Sequence, residues 1–332
     1  MSILTLSDLN FTDLYLRLDQ KDKAKYLPRE KGRHRHNRDV PDAFEPVIER
    51  VMLKVNEILQ HADGAMEFDG IRLRISRQHM ADGQTWACLR RINTEIPDIE
   101  KLGIAPHILN HIRGLGLRDG LILISGATGQ GKTTTAAALL ADFLRRNGGT
   151  AVTIEDPVEF MMKGRHGEGG YCFQVEVEQD EDWAICLKRA LRWAPRYIFV
   201  GEIRTPKAAE QLLRAATTGH MVITTVHAGA PEEALMGLTH LAEQAMGPGV
   251  ENILAAGLTA LIYQNMAETG PYMRYLYTEE NSPGDPIRAL IRDKKIGMIT
   301  TYVEKIAAKL THAHAAGVTS VQPSSLAGKR RI

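Results

Sequence analysis

LILISGATGQGKTTTAAALLADFLRR, residues 121 to 146, is the stretch whose reading decides the fold. LILIS is a short apolar run of strand type, and TTTAAALLADFLRR is rich in helix formers. Between them, Gly126 to Thr133 fits GxxxxGK[ST] in full. Strand, glycine-rich turn and helix in that order are what a phosphate-binding loop requires. Gly126, Gly129 and Gly131 let the backbone N–H groups of Ala127, Thr128 and Gln130 turn toward an anion, and the following helix adds its positive end. Lys132 is then the cation for the β and γ phosphates of ATP, Thr133 supplies a hydroxyl to Mg²⁺, and Thr134 completes the loop.

Outward from this stretch, AVTIE at 151–155, YIFVG at 197–201 and MVITTV at 221–226 repeat the pattern of short runs rich in Ile and Val, separated by helical segments. Continuous apolar runs suit parallel strands buried on both faces, so residues 118–332 are expected to form an α/β domain with helices over the sheet and a helical C-terminal part. In such a domain ligands bind beyond the carboxyl ends of the strands. Three groups arrive there with the glycine-rich loop: the acidic cluster Glu155-Asp156-Pro157-Val158-Glu159, Glu202 and His227. His220 flanks MVITTV on its other side. The apolar run of YIFVGEIRT ends in Gly201-Glu202 where the commonest nucleotide-hydrolysing folds have a metal-holding aspartate; the Glu202 carboxylate can orient the attacking water or hold a metal-bound water, and the 155–159 cluster adds further acids at the same edge.

Residues 1–98 read as a small mixed domain. It holds a short helix plus strand up to Leu18, a polar flexible loop over 20–42, an amphipathic helix with apolar positions 47, 48, 51, 55, 58 and 59, and two strands, IRLRISRQ and QTWACLRRI, joined at Ala81-Asp82-Gly83. Ile96-Pro97-Asp98 marks a boundary, because the residue before a proline is pushed out of helix, and 99–117 follows as a linker into the core. His34 and His36 are a pair with no third ligand beside them, which falls short of a zinc site.

Composition excludes several classes. The 41 basic residues nearly cancel the 40 acidic ones, so no global field recruits nucleic acid. The 3 cysteines, Cys88, Cys172 and Cys186, form no CxxC pair, which fits a reducing compartment and packing roles. No apolar run approaches the roughly 18 residues of a membrane span and no signal peptide is evident, so a cytoplasmic protein held at a membrane through partners is expected.

GATGQGKTTT, TIEDPVEF, FVGEIRT and TGHMVITTVHA follow one another within about 100 residues. Together they resemble the Walker A motif, aspartate box, modified Walker B motif and histidine box of the secretion and type IV pilus ATPases. FTDLYLRL near the N-terminus and PIRALIRDKK near the other end extend the similarity over nearly the whole chain, in the direction of PilT-like retraction ATPases and the related type IVB secretion and conjugation ATPases. The resemblance implies a hexameric ring of subunits, each with a PAS-like N-terminal domain and a RecA-like ATPase domain with ATP bound between them. It implies Glu159 as general base, Glu202 as organiser of Mg²⁺ through water, and His220 and His227 as monitors of the nucleotide. It also implies arginines of the N-terminal domain on the phosphates, with Arg74 and Arg90 as candidates. Between Gly83 and Arg90 this chain carries one residue more than the family pattern, which keeps Arg77 and Arg91 open as alternatives; Arg196 stands where many relatives have an acidic DPD stretch. The implied partners are other copies of the chain and inner-membrane components of a secretion or pilus machine. Two other readings compete with such a motor: a nucleic-acid translocase of RecA type, which needs a basic channel, and a regulator that binds nucleotide without hydrolysing it.

Overall fold

A computed structural model describes residues 4–19, 24–29, 36–58, 63–92, 95–177, 182–267, 270–279, 282 and 284–315. Contacts divide the chain into two units, Met1–Glu95 and Ile96–Ile332.

The first unit is an antiparallel sheet covered by one long helix. Its strands are β1 (Phe11–Arg17), β2 (Lys25–Pro28), β3 (Arg38–Asp39), β4 (Asp63–Phe68), β5 (Ile71–His79) and β6 (Thr85–Ile92), in the order β3-β2-β1-β6-β5-β4. Alternation sorts the faces: Ile71, Leu73 and Ile75 of β5 and Ala87 and Leu89 of β6 are buried, while Arg74 and Arg90 are exposed. The buried face takes Val47, Ile48, Val51 and Val55 of helix α1 (Glu45–Ile58), whose spacing makes one apolar stripe. The segment 20–42, expected as a loop, contains β2 and β3. An edge ribbon with solvent on one side needs little apolar periodicity, and this one is held by its backbone ladder and by a Lys25–Asp39 ion pair at 2.8 Å.

The second unit is built on eight strands: β7 (Gly120–Gly126), β8 (Gly149–Glu155), β9 (Gly164–His166), β10 (Gly170–Glu176), β11 (Tyr197–Glu202), β12 (Met221–His227), β13 (Leu258–Ala267) and β14 (Gly270–Tyr277), in the order β14-β13-β7-β12-β11-β8-β10-β9. The six central strands are parallel and the two edges antiparallel. The helices are α2 (Pro106–Leu115), α3 (Lys132–Asn147), α4 (Asp182–Leu191), α5 (Pro206–Ala216), α6 (Pro231–Met246), α7 (Val250–Gly257), α8 (Pro286–Arg292) and α9 (Thr300–Ala315). The connection from β7 to β8 runs one way along the sheet, and those from β8 onward to β11, β12 and β13 run back. Right-handed crossovers therefore put α3 on one face and α4 to α7 on the other. The helix contacts agree, since α4, α5, α6 and α7 pack on one another and α3 packs with α2. Between these layers Leu121–Ile124, Tyr197–Val200 and Met221–Ile223 are fully enclosed.

Two expectations change here. Residues 99–117 are no linker: a 3₁₀ turn at Ile99–Leu102 and helix α2 bury Ile99, Ile108, Leu109, Ile112 and Leu115 in the core of the second unit. The C-terminal part is also less helical than expected, because β13 and β14 form a hairpin that joins the sheet beside β7. LTALIYQN follows α7 with only Gly257 as punctuation, and a short apolar run of that kind has no helix or strand period of its own.

Candidate active site

The glycine-rich loop leaves β7 at Gly126 and enters α3 at Lys132. A Cβ on Gly126 would lie 2.3 Å from the backbone oxygen of Gln264, so no larger residue fits. Gly129, at the exposed crest of the loop, and Gly131, which caps the helix, have φ of 77° and 73°, the left-handed region that favours glycine. A Cβ on Gly129 would meet nothing within 4 Å, so backbone conformation rather than crowding asks for glycine there. Beneath the loop Gln264 of β13, only 1% exposed, donates from Nε2 to the Gln130 carbonyl at 2.6 Å and accepts from the Thr135 hydroxyl at 2.8 Å. The Met266 N–H donates to Gln130 Oε1 at 2.5 Å. The hairpin thus clamps the loop, a role that sequence reading missed; a lone glutamine inside an apolar run was its only trace.

Lys132 is 6% exposed, and its three N–H donors meet the carbonyls of Gly126 (3.0 Å) and Ala127 (2.9 Å) and Nδ1 of His227 (3.1 Å). A lysine only donates, so Nδ1 accepts and the neutral ring carries its proton on Nε2, which faces Glu202 Oε1 at 3.4 Å. Thr128 Oγ1 lies 3.3 Å from the same Nδ1. Burial pushes the Lys132 ammonium below the usual lysine range, and the nearby carboxylates of Glu202 and Glu159 oppose that shift. Both predicted acids and His227 are therefore gathered around the predicted phosphate lysine.

Gly201 has a local explanation. Strand β11 pairs Val200 with Thr224 and Glu202 with Thr225 of β12, so Gly201 is the extra residue of a bulge. A Cβ there would make only ordinary contacts, at 3.6 Å from Glu155, so the bulge rather than crowding distinguishes the position. It turns the strand just before Glu202, whose Oε2 accepts from Nε and a terminal nitrogen of Arg204, both at 3.1 Å. Arg204 also reaches Asp156 at 3.4 Å and so ties the ends of β11 and β8 together.

Within the acidic cluster the two glutamates differ. Glu155, the last residue of β8, is 3% exposed and accepts from the Thr153 hydroxyl (2.6 Å) and from Gln174 Nε2 (3.1 Å). Burial pushes its carboxyl up to about 7, against those hydrogen bonds and one from the Glu159 backbone. Glu159 is only partly buried, in the loop that follows.

His220 stands elsewhere in the second unit, and the predicted arginines belong to the first unit. His220 precedes the first residue of β12 and its Nδ1 lies 2.7 Å from the Pro195 carbonyl. At about 3.3 Å per residue, the seven steps along the strand separate it from His227 by about 23 Å. Within this subunit it is not a member of the site, because a histidine before a parallel strand lies on the opposite edge from the phosphate loop. Arg74 and Arg90 are direct neighbours across β5 and β6, and Arg90 Nε donates to Asp13 Oδ1 at 2.6 Å. His34 lies outside the described residues.

A divalent cation fits the chemistry of this edge without an all-protein cage. Among the described residues no three His, Cys, Asp or Glu side chains converge on a metal position. Mg²⁺ is commonly held by one or two protein oxygens together with substrate phosphates and water, and the chemistry of Thr133, on the first turn of α3 beside Lys132, and of Glu202, whose charge acts on Lys132, suits such a set.

A family model described as type II/IV secretion system protein matches residues 61–332. The chain is 35% identical to the type IV pilus ATPase PilU of Pseudomonas aeruginosa over 54% of its own length and 46% of PilU. It is 31% identical to a twitching motility protein of Neisseria gonorrhoeae over 70% of its length and 61% of that protein, so the alignments span about half of the first relatives. The crystal structure of the pilus retraction motor PilT with bound ADP superposes with a TM-score of 0.70 at 26% identity, covering 91% of this chain and 90% of PilT. The X-ray structure of the Legionella pneumophila ATPase DotB, at 20% identity and a TM-score of 0.68 over 90% of this chain and 84% of DotB, shares the fold. With the family model covering most of its length, the chain belongs to the type II/IV secretion system protein family.

Proposed function

We propose that this protein is an Mg²⁺-dependent ATPase that works as a motor in a type IV pilus, conjugation or secretion machine. The observation that carries the reading is the gathering of Glu159, Glu202 and His227 around the buried Lys132 at the mouth of a glycine-rich loop. Lys132 holds the β and γ phosphates of ATP while the loop amides and the α3 N-terminus take the remaining charge. The Thr133 hydroxyl and, through water, Glu202 would hold Mg²⁺, which would supply charge neutralisation at the phosphates. Glu159 accepts the proton of the attacking water, because it is the partly exposed carboxylate of the loop, whereas Glu155 is enclosed. His227 must leave the Lys132 ammonium when phosphate replaces it, and Nε2 then reports that change to Glu202.

The reading extends to features that rest on the family alone. The second unit is RecA-like and the first PAS-like, arginines such as Arg74 and Arg90 reach the phosphates, and the chain assembles as a homohexamer on inner-membrane components from the cytoplasmic side. No described helix is long and apolar enough to cross a membrane. Nucleic acid is no direct partner, and a nearly balanced charge supports that view.

The test is Glu159→Gln beside Glu202→Gln, with ATP binding and phosphate release measured on the full chain. Glu159→Gln should bind ATP with wild-type affinity and release phosphate about 10²-fold more slowly or worse. Normal release by that variant, or a block found in Glu202→Gln alone, removes Glu159 as the base. Turnover stimulated by DNA with steep salt dependence would favour the translocase reading instead.

A further inference from the structure

The loop that carries Glu159 is fastened to the sheet from below. Strand β10 runs parallel to β8 with Gln174 beside Thr153 and Glu176 beside Glu155, so these four polar side chains share one face at the carboxyl end of two neighbouring strands. Each meets the loop or a group that does. The Val158 N–H donates to Glu176 Oε2 at 3.2 Å, and the Glu159 backbone bonds to the Glu155 carboxyl, which is itself held by Thr153.

Gln174 has the largest share. Its Nε2 donates to Glu155 Oε1 (3.1 Å) and to the Phe160 carbonyl (2.9 Å), and its Oε1 accepts from the N–H groups of Met162 (2.7 Å) and Lys163 (2.8 Å). Both donor hydrogens and both acceptor lone pairs of one amide are thereby used. No acid, aliphatic or hydroxyl side chain offers that set. Glutamate at 174 would keep the acceptors and lose both donors, and leucine would lose all four.

We propose that Gln174 is a positioning residue for hydrolysis, fixing the backbone that follows Glu159 and the Glu155 carboxyl that the Glu159 backbone meets, so that the Glu159 carboxylate is held at one place on the carboxyl edge. The proposal rests on Glu159 being the base. Its consequence is a division of labour: the Gly126–Thr133 loop binds, and the Gln174 amide sets the reach of the proton acceptor. A displacement of about 1 Å is enough to cost about 10²-fold in rate while leaving binding intact.

The experiment measures ATP affinity, kcat, thermal stability and backbone hydrogen exchange over 157–163 in the full chain carrying Gln174→Leu, with Gln174→Glu as the second variant should the first fail to fold. Either variant should lower kcat about 10²-fold at neutral pH. ATP affinity should stay within about threefold, and exchange of the Met162 and Lys163 amides should accelerate where leucine removes their acceptor. In a Glu159→Gln background, Gln174→Leu should slow turnover by less than about twofold more, because the group it positions is gone. Unchanged kcat in both variants overturns the proposal. So does a loss of ATP binding in parallel with kcat, or a full further loss in the Glu159→Gln background. If Glu159→Gln alone turns over normally, the base assignment fails instead, a result distinct from each of these.

Discussion

The amino and carboxyl edges of the eight-stranded sheet both carry strong polar groups and behave differently. At the amino edge each strong group meets a fixed internal partner: Arg196 is paired with Asp119 and also meets the Gly116 and Arg118 carbonyls, Tyr197 donates to Gly116, and His220 lies against the Pro195 carbonyl. At the carboxyl edge more exposed charges crowd around the buried Lys132 and Glu155. Lys132 is pushed down, Glu155 is pushed up to about 7, and His227 lies between a cation and an anion. Polarity alone therefore does not mark a site. Opposite charges gathered around one buried cation do, because their contacts can be exchanged when a ligand arrives.

The largest expected effect breaks the comparison at its two cations. Lys132→Ala removes the charge that the phosphates need, and ATP turnover should fall on the order of 10³-fold with little loss of folding stability. Arg196→Ala removes hydrogen bonds that serve only the fold, so turnover should stay near wild type while stability falls by about 1–2 kcal/mol. Parallel phosphate-release assays and urea titrations measure both. A turnover loss in Arg196→Ala as deep as in Lys132→Ala would end the distinction between the edges.

The second effect is a pH dependence carried by Glu155. Its folded-state value of about 7 lies above the ordinary 4.5, so between those values the folded protein holds a proton that the unfolded chain has lost. Stability is then fully present below about pH 4.5 and declines as pH rises toward 7, by about 3 kcal/mol in all. Glu155→Gln should flatten that decline in melting temperatures measured from pH 5 to 8. It should also disturb the Glu159 loop, since one acceptor oxygen becomes a donor. An unchanged slope would mean that Glu155 is ionised in the fold at neutral pH and that water reaches its carboxylate.

What was legible in the chain follows the range of the interactions. LILIS, AVTIE, YIFV and MVITTV were readable as strands because burial on both faces writes itself as a continuous apolar run. The Gly126–Thr133 loop was readable because its chemistry lies in consecutive residues, down to the positive φ that Gly129 and Gly131 supply. Strand β10 was not, since its Gln174 and Glu176 serve a loop rather than a core and break the apolar pattern. Gln264 was hidden for a similar reason, its partners Gln130 and Thr135 lying 134 and 129 residues away in the chain. Residues 99–117 were misread as a linker because α2 packs its apolar face on elements that follow it much later.

The two histidines that flank MVITTV sharpen the comparison with the smallest effect. Both belong to the stretch whose resemblance assigns them to nucleotide monitoring, yet strand direction alone separates them, since only the residue after a parallel strand reaches the phosphate edge. His227→Ala removes the acceptor that holds the Lys132 ammonium and the N–H that faces Glu202, at 3.1 and 3.4 Å. Once phosphate has taken the ammonium, the contact left to lose is the one to Glu202; a hydrogen bond to a charged group is worth about 1.5 kcal/mol, which predicts about a tenfold fall in kcat. His220→Ala removes a contact to the Pro195 carbonyl on the far edge, so an isolated subunit should keep its turnover within about twofold and lose about 1 kcal/mol of stability. Comparing the two variants at protein concentrations below and above the onset of self-association adds the decisive arm. If His220→Ala slows turnover only in the associated form, the residue acts on a neighbouring copy; if it slows turnover in the dilute subunit as well, the edge assignment of His220 is wrong.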